Sequence, residues 1–350
     1  MVHGAWFLCM PEFSKLAEPL IVGKVTIRNR VFQAPMSGIT DAPMRQRAYA
    51  HGAGLVVSEM VASGELAKGR GDTHRRIRHS GLPVHMVQLA GRDAAHMAEA
   101  AIIAEAEGAD IIDINMGCPA KKVTGGYCGS ALMRDPKHAL RLIDAVIKAV
   151  AVPVTVKMRL GWDDTVRNAP LIASRAEDSG IAMVTVHGRT RCQFYKGAAD
   201  WRAIANVKAA VSIPVVANGD IGDAAQATMA LDQSGADAVM VGRAHYGAPW
   251  AAGSIANSAA FLEQSGIPTS DRAIADYVVE HYEDMLSLYG IESGLRQARK
   301  HLGWYLDRHA AGADENLRRD VMVSYEPKRV IGALRLIFAR PRNTTMQEAA

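Results

Sequence analysis

The sequence predicts an α/β chain folded as a (β/α)8 TIM barrel, with a small all-helical domain after it. Three observations predict it. Eight short β-branched runs alternate with alanine-rich stretches of helical spacing over roughly 210 residues. Several helical stretches stop on a glycine just before the next run, and polar residues gather where the runs end. At 350 residues the chain suits one large barrel plus an appendage. The expected layout is a tail over 1–18, a barrel over 19–254, a helical domain over 255–342 and a last tail over 343–350.

The eight runs are "VFQAPM" (31–36), "GLVVSEM" (54–60), "PVHMVQLAG" (83–91), "DIIDINMG" (110–117), "PVTVKMRLG" (153–161), "MVTVHGR" (183–189), "PVVANGD" (214–220) and "AVMVGR" (238–243). Each is short and apolar throughout, as a strand covered on both faces should be. Between them, "DAAHMAEAAIIAEAEGA" and "HALRLIDAVIKAV" carry helical spacing. The glycines of "HGAG", "AEGAD", "EDSGIA" and "DQSGAD" suit left-handed helix stops. No GxGxxG follows an early strand, which counts against an open dinucleotide-binding sheet.

Composition narrows the class. Hydrophobic residues at 49% and charged residues at 22% describe a soluble globular protein, and a net charge of +4 does not by itself imply nucleic acid. Cysteines at 9, 118, 128 and 192 show neither metal-ligand spacing nor disulfide density, so a reducing cytoplasm and no metal are expected. No run is long enough to cross a bilayer, and the opening residues lack the basic start of a signal peptide. Translation beginning at Met10 is as compatible with this start as Met1.

In a barrel the chemistry belongs at the C-terminal strand ends. Those ends carry Gln88, Asn115 and Cys118, Lys157 and Arg159, His187 and Arg189, "NGD" at 218–220 and "GR" at 242–243. Lys157 or His187 alone reads most simply as a satisfied core residue, but gathered at one mouth they point to a site. Gly219 and Gly242, in the last two strand ends, suit close backbone approach to a phosphate, with Arg243 adding charge. A lysine in the ring can hold the electron-rich edge of a reduced flavin. Phosphate, lysine and histidine in one mouth suggest bound FMN.

Taken together, "APMSGITDAPMR", "INMGCPAKKVTGGYCGSALM", "VTVKMRLGW", "VTVHGRTR", "PVVANGDI" and "AVMVGRAHYGAPW" resemble the bacterial tRNA-dihydrouridine synthases, B subfamily. The likeness runs from about Pro19 through the barrel and continues at "RKHLGWYL". It implies FMN-dependent reduction of the uracil C5–C6 double bond in tRNA, with NADPH or NADH as reductant. It carries the FMN contacts onto Pro35, Met36, Ser37, Gln88, Lys157, His187, Asn218, Gly219, Asp220, Gly242 and Arg243. The active-site cysteine falls on Cys118, while Asn115, Arg159 and Arg189 fall where flavin or uracil is touched. Hydride delivered to C6 leaves C5 in need of a proton, and a thiol, mostly protonated at neutral pH, can be that acid. Cys128 is a second thiol in the same loop, where the family mostly has a small residue without one.

After about residue 255 the strand rhythm stops. "AIADYVVEHYEDMLSLYG", "LRQARKHLGWYLDRH" and "RVIGALRLIFARPRN" read as helices, with Arg296, Arg299, Lys300, Arg308, Arg318, Arg319, Lys328, Arg329, Arg335, Arg340 and Arg342 concentrated among them. Aromatic Trp304, Tyr305 and Tyr325 are interleaved. Alone this is a solvated helical face; beside a barrel whose substrate is a base in folded RNA, it reads as a phosphate-gripping module led by Arg296, Arg299 and Lys300. Two other readings compete: an FMN barrel acting on a free small molecule such as dihydroorotate, which leaves the basic tail without a purpose, and a flavin-free RNA-binding protein. A monomer is the simplest assembly. The resemblance places the reduced uridine in the tRNA D-loop.

Overall fold

In the computed structural model, residues 14–260, 262 and 266–339 are described. Cys9, Met10, Arg340, Arg342 and the expected last tail lie outside them. The chain forms two compact units. One runs through Arg243 and takes in Trp250–Gln264; the other comprises Ala244–Pro249 and the chain from Ser265 onward.

The first unit opens with an antiparallel hairpin, β1 (Leu20–Val22) and β2 (Val25–Ile27), which the sequence reading passes over. Its buried Leu20, Val22 and Ile27 join Phe32, Met86, Ile111, Met183, Val216 and Met240 in one apolar cluster, so the hairpin caps the barrel interior. A Cβ on Gly23 would sit 2.6 Å from Pro153, which is why the turn needs glycine there.

Seven of the eight expected strands form as single strands, each shorter than its apolar run, and the second is split in two. They are β3 (Val31–Gln33), β4 (Leu55–Val56) with β5 (Val61–Ala62), β6 (Met86–Ala90), β7 (Ile111–Met116), β8 (Val154–Arg159), β9 (Met183–His187), β10 (Val215–Asn218) and β11 (Ala238–Val241). All neighbours pair in parallel, in the order β4-β3-β11-β10-β9-β8-β7-β6-β5.

The second run, 54–60, is not one strand, and this corrects the sequence reading. Its first half pairs with β3, Val57 bridges to Met86, and pairing resumes between β5 and β6. At the break the Ser58 hydroxyl accepts from the Gln88 N–H at 3.0 Å, so a side chain replaces a ladder carbonyl. The interrupted strand touches both neighbours and closes the ring.

The intervening helices are α1 (Ala42–Ala50), α2 (Ala94–Ala106), α3 (Pro136–Ala149), α4 (Ala169–Ser179), α5 (Trp201–Lys208), α6 (Ala224–Ser234) and α7 (Ala251–Ala259). The expected boundary at 254/255 falls inside α7, which belongs to the barrel unit. Five of these helices start on an aspartate that accepts a hydrogen bond from the first turn: Asp41, Asp93, Asp135, Asp200 and Asp223. Each such cap is worth about 1 kcal/mol. The glycine stops hold too, with Gly52, Gly108, Gly180 and Gly235 all at positive φ.

The second unit contains α8 (Asp271–Tyr289), α9 (Ile291–His309), α10 (Glu315–Val323) and α11 (Pro327–Ala339). Val278, Tyr282, Met285, Leu302, Leu306 and Leu334 form its core. Helix α10 was not expected; its start is fixed by Asp314, which accepts from Asn316 and Leu317 N–H. Among the described residues no helix is long and apolar enough to cross a membrane.

Candidate active site

Strand register builds the site in layers. Gln88, Asp113 and Thr155 are neighbours across β6, β7 and β8, and Asn115 lies beside Lys157 one layer further toward the strand ends. Arg159 stands opposite His187, and His187 opposite Asn218. Side chains two residues apart share a face, so this register turns the polar residues to one mouth.

The loop bearing Cys118 is fixed from below by a relay of hydrogen bonds. The Asp113 carboxylate accepts from Thr155 Oγ1 and from Gln88 Nε2, both at 2.6 Å. Gln88 Oε1 accepts from Asn115 Nδ2 at 2.7 Å, and Asn115 Oδ1 accepts from the Gly117 and Cys118 N–H groups at 3.2 and 3.0 Å. The Cys118 carbonyl accepts from Ser130 N and Oγ, which ties the far end of the loop to its start. Gly129, at φ +60, permits this; a Cβ there would lie 2.9 Å from that carbonyl. Cys118 is half-buried. Cys128 donates its thiol to the Gly126 carbonyl at 3.3 Å, and burial pushes its pKa up.

Arg159 is almost fully buried, with Nε on the Gly117 carbonyl at 2.8 Å and Nη1 on the Thr190 and Phe194 carbonyls. It clamps the loop after β7 to the loop after β9. Arg189, equally buried, makes a forked pair with Asp220 at 3.0 and 2.5 Å, and Arg243 reaches the same carboxylate at 2.7 Å. Against the upward push of burial, the Arg189 hydrogen bonds, the Ala199 N–H and the charges of Arg189 and Arg243 hold the Asp220 carboxyl below its usual range. Arg189 has no acceptor to offer, so its 3.3 Å contact with His187 Nε2 makes that nitrogen the unprotonated one and leaves the proton on Nδ1.

Burial, with the charges of Arg159, Lys157, Arg189 and Arg243, holds His187 well below the ordinary imidazole range, so the ring is neutral at pH 7. Lys157 donates to Asn218 Oδ1 at 2.9 Å, while burial and then Arg159 lower its pKa to about 8. Burial raises Asp113 to about 6 against the pull of Gln88, Thr155 and Lys157. Asn218 Nδ2 is anchored to the Met240 carbonyl. Gly219 has φ +112, and a Cβ there would sit 2.9 Å from the His187 ring. At the ring's seam, Ala34 N–H donates to the Val241 carbonyl, so half-buried Pro35 and Met36 and exposed Ser37 follow a strand end bound to the one that leads to Gly242 and Arg243.

Of the barrel residues named from the sequence, Gln88 and Lys157 lie within β6 and β8, and the others stand at strand ends or in the loops that follow them. Sequence reading missed Asp113, Thr155, Ser130 and Tyr195. Tyr195, 53% exposed, lies with its ring 5.4 Å from the Arg159 guanidinium, 5.3 Å from that of Arg243 and 6.2 Å from His187. The signal for Asp113 was available: it is the one acid inside the apolar "IIDINM". Among the described residues, the three non-glycine residues at positive φ are Tyr127, Phe194 and Asp220, all in loops after strand ends, where strained backbone marks functional sites.

In the second unit, Arg296 pairs with Glu292 at 2.8 Å, Arg299 donates to the Val323 carbonyl and lies 5.2 Å from the Tyr325 ring, and Lys300 donates to Gln297. Among the described residues no group of His, Cys, Asp and Glu is arranged to hold a metal ion.

A family model described as dihydrouridine synthase (Dus) matches residues 32–338. A probable tRNA-dihydrouridine synthase of Rhizobium leguminosarum bv. phaseoli is 56% identical over 310 residues, covering 89% of this chain and 95% of the relative. One from Rhodobacter capsulatus is 57% identical, covering 88% and 94%. tRNA-dihydrouridine synthase B of Xanthomonas axonopodis pv. citri is 48% identical, covering 84% and 88%. Among solved structures, histamine dehydrogenase from Rhizobium sp. 4-9 superimposes with a TM-score of 0.53 at 12% identity, over 95% of this chain and 65% of its own. 6-Hydroxypseudooxynicotine amine oxidase from Pseudomonas geniculata N1 gives 0.55 at 14%, over 76% and 53%. These two likenesses show the barrel fold alone.

Proposed function

The chain belongs to the dihydrouridine synthase family, and from that premise we propose that it reduces the C5–C6 double bond of a D-loop uridine in tRNA. The observation that carries the mechanism is the relay from Asp113 through Gln88 and Asn115 to the Cys118 backbone, facing Lys157 across adjacent strands.

The mouth suits FMN by its donor set. Lys157, Arg159, Arg189 and Arg243 outnumber the Asp113 and Asp220 carboxylates, and that excess of cations fits a phosphate and an electron-rich ring. Lys157, Gln88, Asn218 and neutral His187 would hold the ring; Gly219, Gly242 and Arg243 would hold the phosphate, and Pro35, Met36 and Ser37 would border it. FMN, when bound, supplies the hydride that goes to C6 of the uracil, and NADPH or NADH replenishes it.

Cys118 donates the proton to C5. Its thiol is held at the mouth because Asn115 fixes its N–H and Ser130 its carbonyl. Arg159 and Arg189 shape the base pocket: each spends its guanidinium on loop carbonyls or Asp220, so they keep the pocket walls in place around the uracil. Arg296, Arg299 and Lys300 contact tRNA phosphates, Arg296 exchanging Glu292 for one. The partners are tRNA and the nicotinamide cofactor, the compartment is the cytoplasm, and the division of labour is a catalytic barrel with a tRNA-binding helical domain.

The test is single-turnover reoxidation of anaerobically reduced holoenzyme. Unmodified tRNA should oxidise the flavin and gain dihydrouridine, whereas free uracil or orotate should leave it reduced. Oxidation by orotate with none by tRNA would make this a small-molecule enzyme.

A further inference from the structure

We infer that the barrel unit carries its own RNA-gripping surface: a belt of unpaired cations on the three successive loops that follow β5, β6 and β7, which takes the sugar–phosphate backbone of folded RNA. The inference deepens the tRNA reading above and rests on it.

The charge is concentrated. Between Glu65 and Gly81 five Lys and Arg stand against two acids, a net +3 in a chain whose whole net charge is +4. Two of the five are already used, Arg75 by Asp72 at 2.5 Å and Arg76 by the Met60 carbonyl at 3.2 Å. Lys68, Arg70 and Arg78 are exposed. The loop has a built shape: Arg70 N–H donates to the Glu65 carbonyl and Thr73 Oγ1 to the Arg70 carbonyl at 2.6 Å. Gly69 and Gly71, both at positive φ, have no atom within 4 Å of where a Cβ would sit, so the loop crest stands clear of the fold.

The three loops adjoin. β5 and β6 pair through Ala62 and Ala90, and a Cβ on Gly91 would fall 2.1 Å from Ser63 Oγ, so the first two loops leave the barrel in contact. Arg92 comes next, and its charge is felt at the Cys128 thiol in the third loop. That loop presents exposed Lys121 and Lys122. Among the described residues none of these six cations forms an ion pair, whereas in the helical unit Arg296, Arg318 and Arg329 each have a carboxylate. Neighbouring like charges raise each other's energy, so an uncompensated belt suits a polyanion that relieves the repulsion.

Aromatic exposure separates RNA from an acidic protein. Tyr127, 68% exposed and at φ +56, stands in the third loop, between Lys122 and Cys128 in sequence and nine residues after Cys118. A ring among cations stacks an unpaired base, which an acidic peptide has no use for.

The experiment uses the full-length, flavin-loaded protein and unmodified tRNA transcript, with the K68Q/R70Q/R78Q triple variant. Flavin content and the rate of flavin reduction by NADPH should match the unaltered protein. The log K against log salt slope should shallow by about 0.7–0.9 per lost contact, and affinity near 0.15 M salt should fall roughly 10- to 100-fold. Tyr127→Ala should weaken binding several-fold with the slope unchanged, since it removes stacking and no charge. Unaltered protein that binds tRNA, with a triple variant of unchanged slope and affinity, makes the loop a solvated face and sinks this surface alone. Unaltered protein that binds no tRNA sinks the tRNA reading and the surface together. A triple variant that weakens equally for heparin and tRNA, with Tyr127→Ala silent, would overturn RNA as the partner in favour of polyanions in general.

Discussion

Gln88 and Asp113, side by side on β6 and β7, are joined by a 2.6 Å hydrogen bond from amide nitrogen to carboxylate, and the other end of the same amide accepts from Asn115. A single buried side chain thereby links the barrel interior to the turn that holds Cys118. Both carboxylate oxygens are engaged, by Thr155 and by Gln88, and a pKa raised to about 6 leaves Asp113 ionised at pH 7.

Asp113 gives the first prediction. Its folded-state pKa of about 6 lies above the ordinary 3.8, so holding it ionised costs about 3 kcal/mol above pH 6, and the cost is relieved as pH falls from 6 toward 3.8. Flavin reoxidation by tRNA should therefore slow as pH falls through about 6, while stability to denaturant gains from this group over the same range. Asp113→Asn should lower the rate about 10-fold and flatten that acid limb. Stopped-flow reoxidation across pH 5–8 reads both, and a variant that keeps the limb would assign it elsewhere.

Lys157 gives a prediction of opposite sign. With a pKa of about 8, its positive charge is lost as pH rises past that value, and a bound anionic ring would move the value up. FMN affinity should be highest below pH 8 and fall above it. Lys157→Met should bind FMN at least 10-fold more weakly at pH 7 and show no such fall. Flavin fluorescence titration at pH 7 and 9 separates the two proteins.

The two thiols should differ. Cys118→Ala should leave flavin reduction by NADPH near normal and slow reoxidation by tRNA by about 10²–10⁴-fold, the range of a lost general acid. Cys128→Ala should leave both steps nearly intact, since its thiol is spent on Gly126. Rapid-mixing traces of both half-reactions decide it; the reverse ranking would move the acid to Cys128.

Gly219→Ala tests the backbone. The added Cβ meets the His187 ring at 2.9 Å in a conformation that L residues rarely adopt, so the variant should lose about 1–3 kcal/mol of stability. It should also bind FMN more weakly by displacing His187. Denaturant unfolding and flavin occupancy are the readouts, and an unchanged protein would mean that the turn yields freely.

How much of this was legible follows from range. The barrel was legible because its signals are local: short β-branched runs and glycine stops act within a few residues of where they stand. The strand-end residues were legible because alternation and topology fix where a strand end points. Motif resemblance was legible for the same reason, since "INMGCPAKKVTGGYCGSALM" is contiguous.

What only the tertiary structure decided depends on partners far apart in sequence. The second strand breaks because Val57 and Ser58 must meet Met86 and Gln88 while Val61 waits for Leu89. Arg159 is a clamp because carbonyls of two distant loops converge on it, and Arg189 because it ties its own loop to the distant Asp220 carboxylate. Lys157 at about 8 and Asp113 at about 6 owe their shifts to burial, which no run of letters states. Charge counting favoured the C-terminal helices, yet folding supplies Arg296, Arg318 and Arg329 with carboxylates and leaves Lys68, Arg70 and Arg78 without. Sequence counts charges; only the fold pairs them, because pairing is set by distance in space.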